Sequence, residues 1–260
     1  MSIRVEPVDL AAIRPMRAIY RQEMDCQVIH DSIHPRPGWS LEYQLRIDGA
    51  VAGYGSIAVA GPWKDKPTVY EFFVLPEFRS RAFDLFEALL AATSPVAIET
   101  QSNGDPLAVM IHVYGRGVES ESILFHDRLT TALPPPPGAR FRRATAEDKL
   151  EGVDPEQFDT HGVIEMEDGT VAASGGILFH YNPPYGDIYM DVRDAFRRRG
   201  FGSYLVQELK RVAREHGNIP AARCGVNNVA SRKTLQKAGF VPCGHILTGS
   251  LHTEPKSTTP

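Results

Sequence analysis

One short pattern occurs twice in the chain, in two stretches of similar hydropathy. The copies lie 118 residues apart and share four positions, occupied by Val74, Phe78, Arg79 and Arg81 in the first and by Val192, Phe196, Arg197 and Arg199 in the second. Asn103 and Asn228 follow the two copies at an offset of 125. The repetition predicts two domains of one fold, each of roughly 100 residues. Coincidence between two unrelated α/β stretches is the alternative.

The strongest candidate for a boundary between the two domains is a run of four prolines at positions 134–137, followed by Gly138. Such a run forms neither a helix interior nor a central strand. We therefore predict a domain over 1–133, a linker over 134–138, a second domain over 139–252 and a flexible tail over 253–260.

Apolar periodicity and turn residues predict the same order of strands and helices in both halves. In the first half the predicted elements cover residues 39–47, 51–59, 69–74, 84–92, 96–100 and 107–114. In the second half they cover 160–166, 170–180, 187–192, a helix after Gly200, 221–226 and 228–238. The sequence thus predicts a mixed α+β fold.

Composition excludes several classes of protein. The formal net charge is −4 over 260 residues, which argues against a nucleic-acid partner. No apolar run approaches the roughly 18 residues that span a bilayer, so we expect no membrane association and a cytoplasmic protein. The three cysteines, Cys26, Cys224 and Cys243, are far apart, which argues against a disulfide framework and against a metal site. The oligomeric state is not readable from the sequence.

The densest basic cluster consists of Arg197, Arg198 and Arg199, and it precedes Gly200 and Gly202 at a predicted strand-to-helix turn. Backbone N–H groups converge at such a turn, and the helix dipole adds positive potential, so the segment is suited to hold a pyrophosphate. Neither the P-loop pattern nor the complete dinucleotide fingerprint is present. A tight turn with solvated arginines is the other interpretation.

Two motifs in the second half resemble those of the GNAT superfamily of acyl-CoA-dependent N-acyltransferases. The first is Gln/Arg-x-x-Gly-x-Gly/Ala after the fourth strand, and the second is Asn-x-x-Ser followed by Lys-x-Gly-Phe. They occur here as Arg197-x-x-Gly200-x-Gly202, Asn228-x-x-Ser231 and Lys237-x-Gly239-Phe240. The resemblance is strong over 139–251 and extends to 1–133 only through the order of elements.

The resemblance implies two tandem GNAT-like domains, each a mostly antiparallel sheet with flanking helices and a splayed strand pair. It also implies acetyl-CoA as acyl donor, with the pantetheine arm inserted at the splayed strand and the pyrophosphate on the backbone of 198–203. The residues implied to bind the coenzyme are Met190, Val192, Arg197, Arg198, Arg199, Gly200, Phe201, Gly202, Ser203, Asn228 and Ser231.

Transfer to an amine requires a group that takes a proton from the acceptor. The resemblance suggests Asp187, at the start of the splayed strand, and an ordinary turn aspartate is the alternative. His161, Glu165 and His180 are weaker candidates. The acceptor is an unidentified amine of a small molecule or a protein.

The chain departs from the family at the residue that protonates the departing thiolate. Many members have a tyrosine four residues before the glycine of Gly-Phe, where this chain has Leu235. Water, or a tyrosine among Tyr181, Tyr185 and Tyr189, could replace it. This departure also supports the competing hypothesis of a noncatalytic acyl-CoA sensor or interaction module. A dinucleotide oxidoreductase is a third, weaker hypothesis.

The first half carries Ala82 and Asp84 where the second has Gly200 and Gly202. A carboxylate would repel a pyrophosphate, so we expect the first copy to be degenerate and unable to hold acetyl-CoA. The second copy has only about 15 residues, 145–159, before its hairpin. That length is too short for the two helices that open a full GNAT domain, whereas 8–38 has room for them.

Overall fold

The computed structural model describes residues 2–151 and 153–251. The chain forms two compact units. Unit 1 consists of the described parts of Met1–Glu121 and Gly244–Pro260, and unit 2 of those of Ser122–Cys243. The predicted tail at 253–260 lies outside the described residues.

Unit 1 contains five strands and three α-helices before the chain enters unit 2. They are β1 (Ile3–Val8), α1 (Leu10–Met24), β2 (Ser40–Ile47), β3 (Ala50–Ala58), β4 (Thr68–Val74), α2 (Ala82–Thr93), β5 (Ala97–Gln101) and α3 (Leu107–Tyr114). The strand β6 (Gly115–Asp127) begins in unit 1 and ends in unit 2.

From β7 onward the chain forms six strands and two α-helices, and the last of these strands, β12, returns to unit 1. They are β7 (Ala139–Arg143), β8 (His161–Met166), β9 (Val171–Leu178), β10 (Tyr185–Val192), α4 (Phe201–Glu215), β11 (Ile219–Gly225), α5 (Val229–Lys237) and β12 (Phe240–Leu251). The order of elements predicted for the two halves is therefore confirmed, while β1, β6, β7 and β12 were not predicted.

The sheet of unit 1 has the strand order β1-β2-β3-β4-β5-β12. Every pair is antiparallel except β4 with β5, and residues 246–250 of β12 complete the sheet beside β5. Helix α2 buries Leu85, Phe86 and Leu89 on one apolar cluster that includes Phe72 of β4. Helix α1 covers a separate cluster, and it is followed by a single 3-10 turn at Asp31–Ile33 where there was room for a second helix.

The sheet of unit 2 has the strand order β6-β11-β10-β9-β8-β7. Its core lies under α4, whose side chains Leu205, Leu209 and Val212 recur at three- and four-residue spacing and are fully buried. The described residues between β7 and β8 form only the short 3-10 turns Ala146–Asp148 and Pro155–Thr160, as their number predicts. Both units are thus mixed α/β with mostly antiparallel sheets.

The proline run at 134–137 lies inside unit 2, and the units are divided between residues 121 and 122 and between 243 and 244. The chain before the prolines is fixed to α4, because Leu133 exchanges two hydrogen bonds with the side chain of Gln207 at 2.7 and 3.2 Å. The buried Nζ of Lys210 also donates to the carbonyl of Leu129 at 2.8 Å. The segment that the sequence predicted as a linker therefore belongs to unit 2.

Candidate functional site

The strands β10 and β11 of unit 2 diverge after three residues. They pair in parallel only between 185–187 and 219–221, whereas β10 pairs with β9 over 187–192. Beyond Ala221 the strand β11 continues its pairing with β6 on its other side. The expected splayed pair is therefore present, and the second half of β10 borders a gap.

Backbone groups of β10 point into this gap. The N–H of Arg193 donates to Ala172 of β9 at 3.1 Å, in register with the β9–β10 ladder. Successive residues of a strand direct their N–H groups to opposite sides. Met190 and Val192, which occupy the alternate positions, therefore present their backbone N–H groups to the gap.

The loop after β10 contains two residues in the left-handed region, Arg198 with φ 60° and Gly200 with φ 91°. Gly200 is the N-cap of α4, whose first intrahelical bond runs from Tyr204 N–H to the carbonyl of Gly200 at 3.1 Å. The N–H groups of 201–203 consequently have no partner within the helix. Left-handed residues beside free helix N–H groups form a concave site for an anion.

The three arginines of the loop differ in what they contact. Arg197 donates from Nε to the carbonyl of Val192 at 3.0 Å and pairs with Asp194 at 2.9 Å. Arg199 lies over the rings of Phe196 and Phe201, with its Cζ 5.6 and 5.5 Å from their centroids. Within the described chain, only Arg198 of the three has a guanidinium with no hydrogen bond, ion pair or ring contact.

The two glycines of the motif serve different purposes. Gly200 needs its positive φ and faces open space. Gly202 has no such φ, but a Cβ there would lie 3.2 Å from Cγ2 of Thr234 and 3.3 Å from Cγ2 of Val192. Gly202 therefore permits close packing of α4 on α5 and β10, and the interpretation of both glycines as turn residues holds only for Gly200.

Asn228 is the N-cap of α5, and its Oδ1 accepts a hydrogen bond from the N–H of Ser231 at 3.0 Å. The exposed amide keeps Nδ2 for another partner. Ser231 is half-buried near Cys224, where burial raises the pKa of the Cys224 thiol and a hydrogen bond from Ser231 opposes that shift. Both residues lie at the start of the helix that follows the diverging strand β11.

Asp187 occupies the last position of β10 that pairs with β11, and it is 4% exposed. Its Oδ2 lies 2.9 Å from Nε2 of His180 and 3.4 Å from Nε of Arg223. Tyr181 packs its ring against His180 with 4.8 Å between centroids, and burial, reinforced by Asp187, raises the pKa of the Tyr181 phenol far above its ordinary value. The structure therefore places Asp187 within a polar cluster of four side chains.

Two other candidate bases have structural partners. His161 is 1% exposed, its Nδ1 lies 2.7 Å from the carbonyl of Gln157, and its ring rests on Gly176, where a Cβ would come within 2.1 Å. Glu165 pairs with Arg140 at 2.6 Å and Arg142 at 2.9 Å, and their hydrogen bonds lower the pKa of its carboxyl group. The structure does not bring either side chain into contact with Asp187.

Leu235 is 3% exposed and belongs to the apolar core of unit 2. The sequence alternatives to the missing tyrosine are also mostly enclosed, because Tyr181 is 2% and Tyr185 is 9% exposed. Tyr189 on β10 is 36% exposed, and it contacts His161 edge-on with 5.7 Å between centroids. Tyr189 is therefore the only one of the three with an accessible ring.

Unit 1 keeps the divergence of strands but lacks a left-handed turn after the first diverging strand. The strands β4 and β5 pair only at Thr68 and Val69. The 3-10 turn Pro76–Arg81 runs directly into α2, and Ala82, the counterpart of Gly200, has a helical φ of −58°. No described residue of 76–84 has a positive φ, and Asp84 pairs with Arg81 in the first turn of α2.

A segment after α1 contacts β5, one of the two diverging strands of unit 1. The N–H of Ile29 donates to Oε1 of Gln101 on β5 at 2.8 Å, and His30 pairs with Glu99 on the same strand. Ile29 is 7% exposed. In unit 2, the described residues between β7 and β8 form the short 3-10 turns Ala146–Asp148 and Pro155–Thr160.

The sequence of unit 2 is similar to that of a known protein family. Residues 127–240, which lie within unit 2, match the model of the Acetyltransferase (GNAT) family. Unit 2 is a domain of the GNAT family. The family recognition from Arg197-x-x-Gly200-x-Gly202 is thereby confirmed.

Solved structures resemble the whole chain. An acetyltransferase of the GNAT family from Colwellia psychrerythraea has a TM-score of 0.75 at 14% identity, with 96% of this chain and 100% of that chain covered. A GCN5-related N-acetyltransferase from Sphaerobacter thermophilus has a TM-score of 0.60 at 16% identity, and the match covers 99% of this chain and 98% of that chain. A tandem GNAT protein from the clavulanic acid biosynthesis pathway, solved without AcCoA, has a TM-score of 0.57 at 14% sequence identity. The match covers 98% of this chain and 100% of that chain.

At these identities the solved structures establish the fold, which is that of two tandem GNAT-like domains. No curated protein matches the chain significantly. No α-helix over residues 2–151 and 153–251 has the length and apolar character needed to cross a bilayer. In that same part of the chain, no three His, Cys, Asp or Glu side chains are grouped so that they could hold a metal ion.

The member of the polar cluster around Asp187 that the sequence did not indicate is Arg223. It lies on β11, 36 residues after Asp187 and 43 after His180, and it belongs to no motif. Its one sequence signal is that it is the only charged residue of β11.

Proposed function

We propose that the chain is an N-acyltransferase that transfers an acetyl group from acetyl-CoA to an amine. The observation that carries this proposal is the coincidence, in the GNAT domain, of the β10–β11 gap with the left-handed turn at Arg198 and Gly200. The gap offers backbone partners to an extended amide chain, and the turn offers N–H groups to a pyrophosphate. In unit 1 the gap occurs without the turn.

In the proposed complex, the backbone N–H groups of 198–203 hold the pyrophosphate, and Arg198 adds charge from its unpaired guanidinium. Met190 and Val192 bond the pantetheine arm with their backbone amides, and the Nδ2 of Asn228 reaches the same arm. Arg197 acts on the coenzyme through the carbonyl of Val192, which it fixes. Phe201, Gly202 and Ser203 contribute backbone N–H donors, and Arg199 lies beside them. The backbone N–H of Ser231 orients Asn228 by donating to its Oδ1.

The chemistry is a direct attack by the amine nitrogen on the thioester carbonyl. A backbone N–H of β10 polarises that carbonyl, and the coenzyme leaves as a thiolate. A thiol with a pKa of about 8.5 is a tolerable leaving group without a strong acid. Water therefore suffices to protonate it where Leu235 replaces the family's tyrosine. Asp187 is proposed to belong to the machinery that receives the proton of the amine.

A noncatalytic acyl-CoA sensor is the second candidate, because Leu235 is buried in the core and leaves no acid on the last helix. Both candidates bind the coenzyme, and only one turns it over. Thiol release from acetyl-CoA, measured over a panel of primary amines, separates them. Turnover of at least one amine supports the enzyme, whereas tight binding without turnover on any amine supports the sensor.

The coenzyme site itself is tested by calorimetry with acetyl-CoA on the full chain and on two matched variants. Gly200→Ala forces a side chain into a left-handed residue of unit 2, and Ala82→Gly makes the reverse change at the counterpart in unit 1. We expect one binding site per chain, a loss of at least tenfold in affinity for Gly200→Ala, and unchanged affinity for Ala82→Gly.

Unchanged affinity in Gly200→Ala, or an effect of Ala82→Gly of the same size, would contradict the proposed placement. Binding of NAD or NADP in place of acetyl-CoA would favour an oxidoreductase. Thermal unfolding of both variants shows whether a loss of affinity reflects a loss of folding.

A further inference from the structure

The proposed reaction needs a group near the start of the β10–β11 gap that takes the proton of the amine. Asp187 is enclosed there, and its Oδ2 already faces two donors, His180 Nε2 at 2.9 Å and Arg223 Nε at 3.4 Å. A carboxylate in that position already has donors at Oδ2 and is shielded by burial from an incoming amine. A neighbour that Asp187 orients is better placed to take the proton.

The contact with Asp187 fixes which nitrogen of His180 carries hydrogen. An ionised carboxylate only accepts hydrogen bonds, so Nε2 at 2.9 Å must donate to it. Arg223 Nη2 lies 3.4 Å from the same Nε2, a longer distance than the 2.9 Å to Asp187, so we assign the hydrogen of Nε2 to the contact with Asp187. In the neutral ring the lone pair then belongs to Nδ1.

The free nitrogen is accessible, and the ring is held in place. The side chain of His180 is 22% exposed, and Nδ1 has no hydrogen-bond partner within residues 2–151 and 153–251. Tyr181 packs edge-on against the ring at an interplanar angle of 86°. Arg223 in turn lies over Tyr181, with its Cζ 5.9 Å from the ring centroid. Each neighbour restrains the imidazole without occupying Nδ1.

We infer that His180 is the catalytic residue that accepts the proton of the acceptor amine at Nδ1, and that Asp187 is a positioning residue that holds its tautomer. The inference rests on the proposed N-acyltransfer. The charged and titratable groups facing His180 are Asp187 from β10, Arg223 from β11 and the adjacent Tyr181, with Cys243 of β12 close to Tyr181.

The step balances without a further reactant. The amine nitrogen forms a bond to the thioester carbon, the carbon–sulfur bond breaks, and its electron pair leaves on the coenzyme thiolate. The proton lost by the nitrogen moves to Nδ1 of His180, and the thiolate takes a proton from water. Release of the imidazolium proton to solvent regenerates the site. The products are an amide and the free thiol.

The first test reads the tautomer without any turnover. In the full chain labelled with nitrogen-15 at histidine, the His180 signals are assigned by their absence in His180→Gln. At a pH where the ring is neutral, we expect the proton on Nε2 and a bare Nδ1, and Asp187→Asn should shift the population toward the other tautomer. A neutral ring protonated on Nδ1 would overturn the inference.

The second test separates binding from chemistry on an amine that the wild type acetylates. We expect His180→Gln to keep the acetyl-CoA Kd within about twofold and to lower kcat by about 100-fold. The ascending limb of the pH profile of kcat should disappear in His180→Gln and move in Asp187→Asn. His216→Gln is the matched control, because His216 also faces a carboxylate, Asp159 at 3.8 Å, at the end of α4.

The outcomes distinguish the two proposals. A wild-type chain that binds acetyl-CoA but turns over no amine overturns both the N-acyltransferase and the role of His180. An active wild type with full kcat in His180→Gln overturns the role of His180 alone. Equal losses in His180→Gln and His216→Gln would also overturn it, since the control removes a histidine without touching the gap.

Discussion

Arg197 donates a hydrogen bond from Nε to the backbone carbonyl of Val192, the last residue of β10, at 3.0 Å. Its counterpart in unit 1, Arg79, makes the same bond to Val74, the last residue of β4, at 3.3 Å. Unit 1 lacks the left-handed turn, so the structural role that the two arginines share does not depend on a coenzyme. In both units the arginine caps the end of a diverging strand by binding its last carbonyl.

We therefore predict that the charge contacting the coenzyme comes from Arg198 more than from Arg197. Arg198→Gly keeps the positive φ without strain and removes the guanidinium, so acetyl-CoA should bind about tenfold more weakly at unchanged stability. Arg197→Met and the matched Arg79→Met should each lower the free energy of unfolding by about 1 kcal/mol. Calorimetry and urea unfolding measure the two effects.

A larger loss of coenzyme affinity in Arg197→Met than in Arg198→Gly would show that the Arg197 side chain is itself the contact. Arg79→Met should leave the affinity unchanged, since it alters the strand cap of the other unit.

Gly202 provides a prediction about packing. A methyl group at 202 would press on Cγ2 of Thr234, which lies 3.2 Å from the position of a Cβ, so Gly202→Ala should lower the free energy of unfolding by about 1–2 kcal/mol. Thr234→Ser removes that Cγ2 atom. The double variant should therefore be more stable than the sum of the single changes predicts, as measured by urea unfolding. Strict additivity would mean that the two side chains do not meet.

Unit 1 contains a buried histidine that should make its stability depend on pH. His34 lies between Glu42 Oε1 at 2.8 Å and Glu71 Oε2 at 2.6 Å, and its side chain is inaccessible to solvent. Burial alone would lower the pKa of the imidazole, but the two carboxylates outweigh it and raise the pKa to about 9. Burial alone would raise the pKa of Glu71, but Arg17 and His34 outweigh it and hold the pKa of that carboxyl well below its usual range.

Because the folded protein binds this proton more tightly than the unfolded chain, the contribution of His34 is complete below about pH 6.5. It is lost as the pH rises to about 9, and it amounts to on the order of 3 kcal/mol. Both tryptophans, Trp39 and Trp63, belong to unit 1, so their fluorescence follows its unfolding in urea. The stability of unit 1 should fall between pH 6.5 and 9.5, and His34→Gln should flatten that dependence. A profile that keeps its slope in His34→Gln would assign the effect to another group.

Local features of the site could be predicted from the sequence because short-range sterics and hydrogen bonding determine them. A glycine between a strand and a helix indicates a left-handed turn, and Gly200 has it, with Arg198 beside it. The apolar period after Gly200 predicts α4, and Asn228 caps α5 as its place before a helix suggests. The repetition of one pattern at 118 residues likewise indicates two units of one topology.

Contacts between distant residues followed only from the tertiary structure. The side chains of His180, Asp187 and Arg223 meet because β9, β10 and β11 are neighbours in the sheet. They lie where the pairing of β10 with β11 ends, at Asp187. The close packing that Gly202 permits depends on Thr234 of another helix, and the place of the C-terminal strand in the sheet of unit 1 depends on the pairing of β12 with β5. Sequence determined the local backbone conformation and the chemical groups available, because both are set by adjacent residues. Strand order and register decided which groups meet, because those depend on hydrogen bonds between segments far apart in the chain.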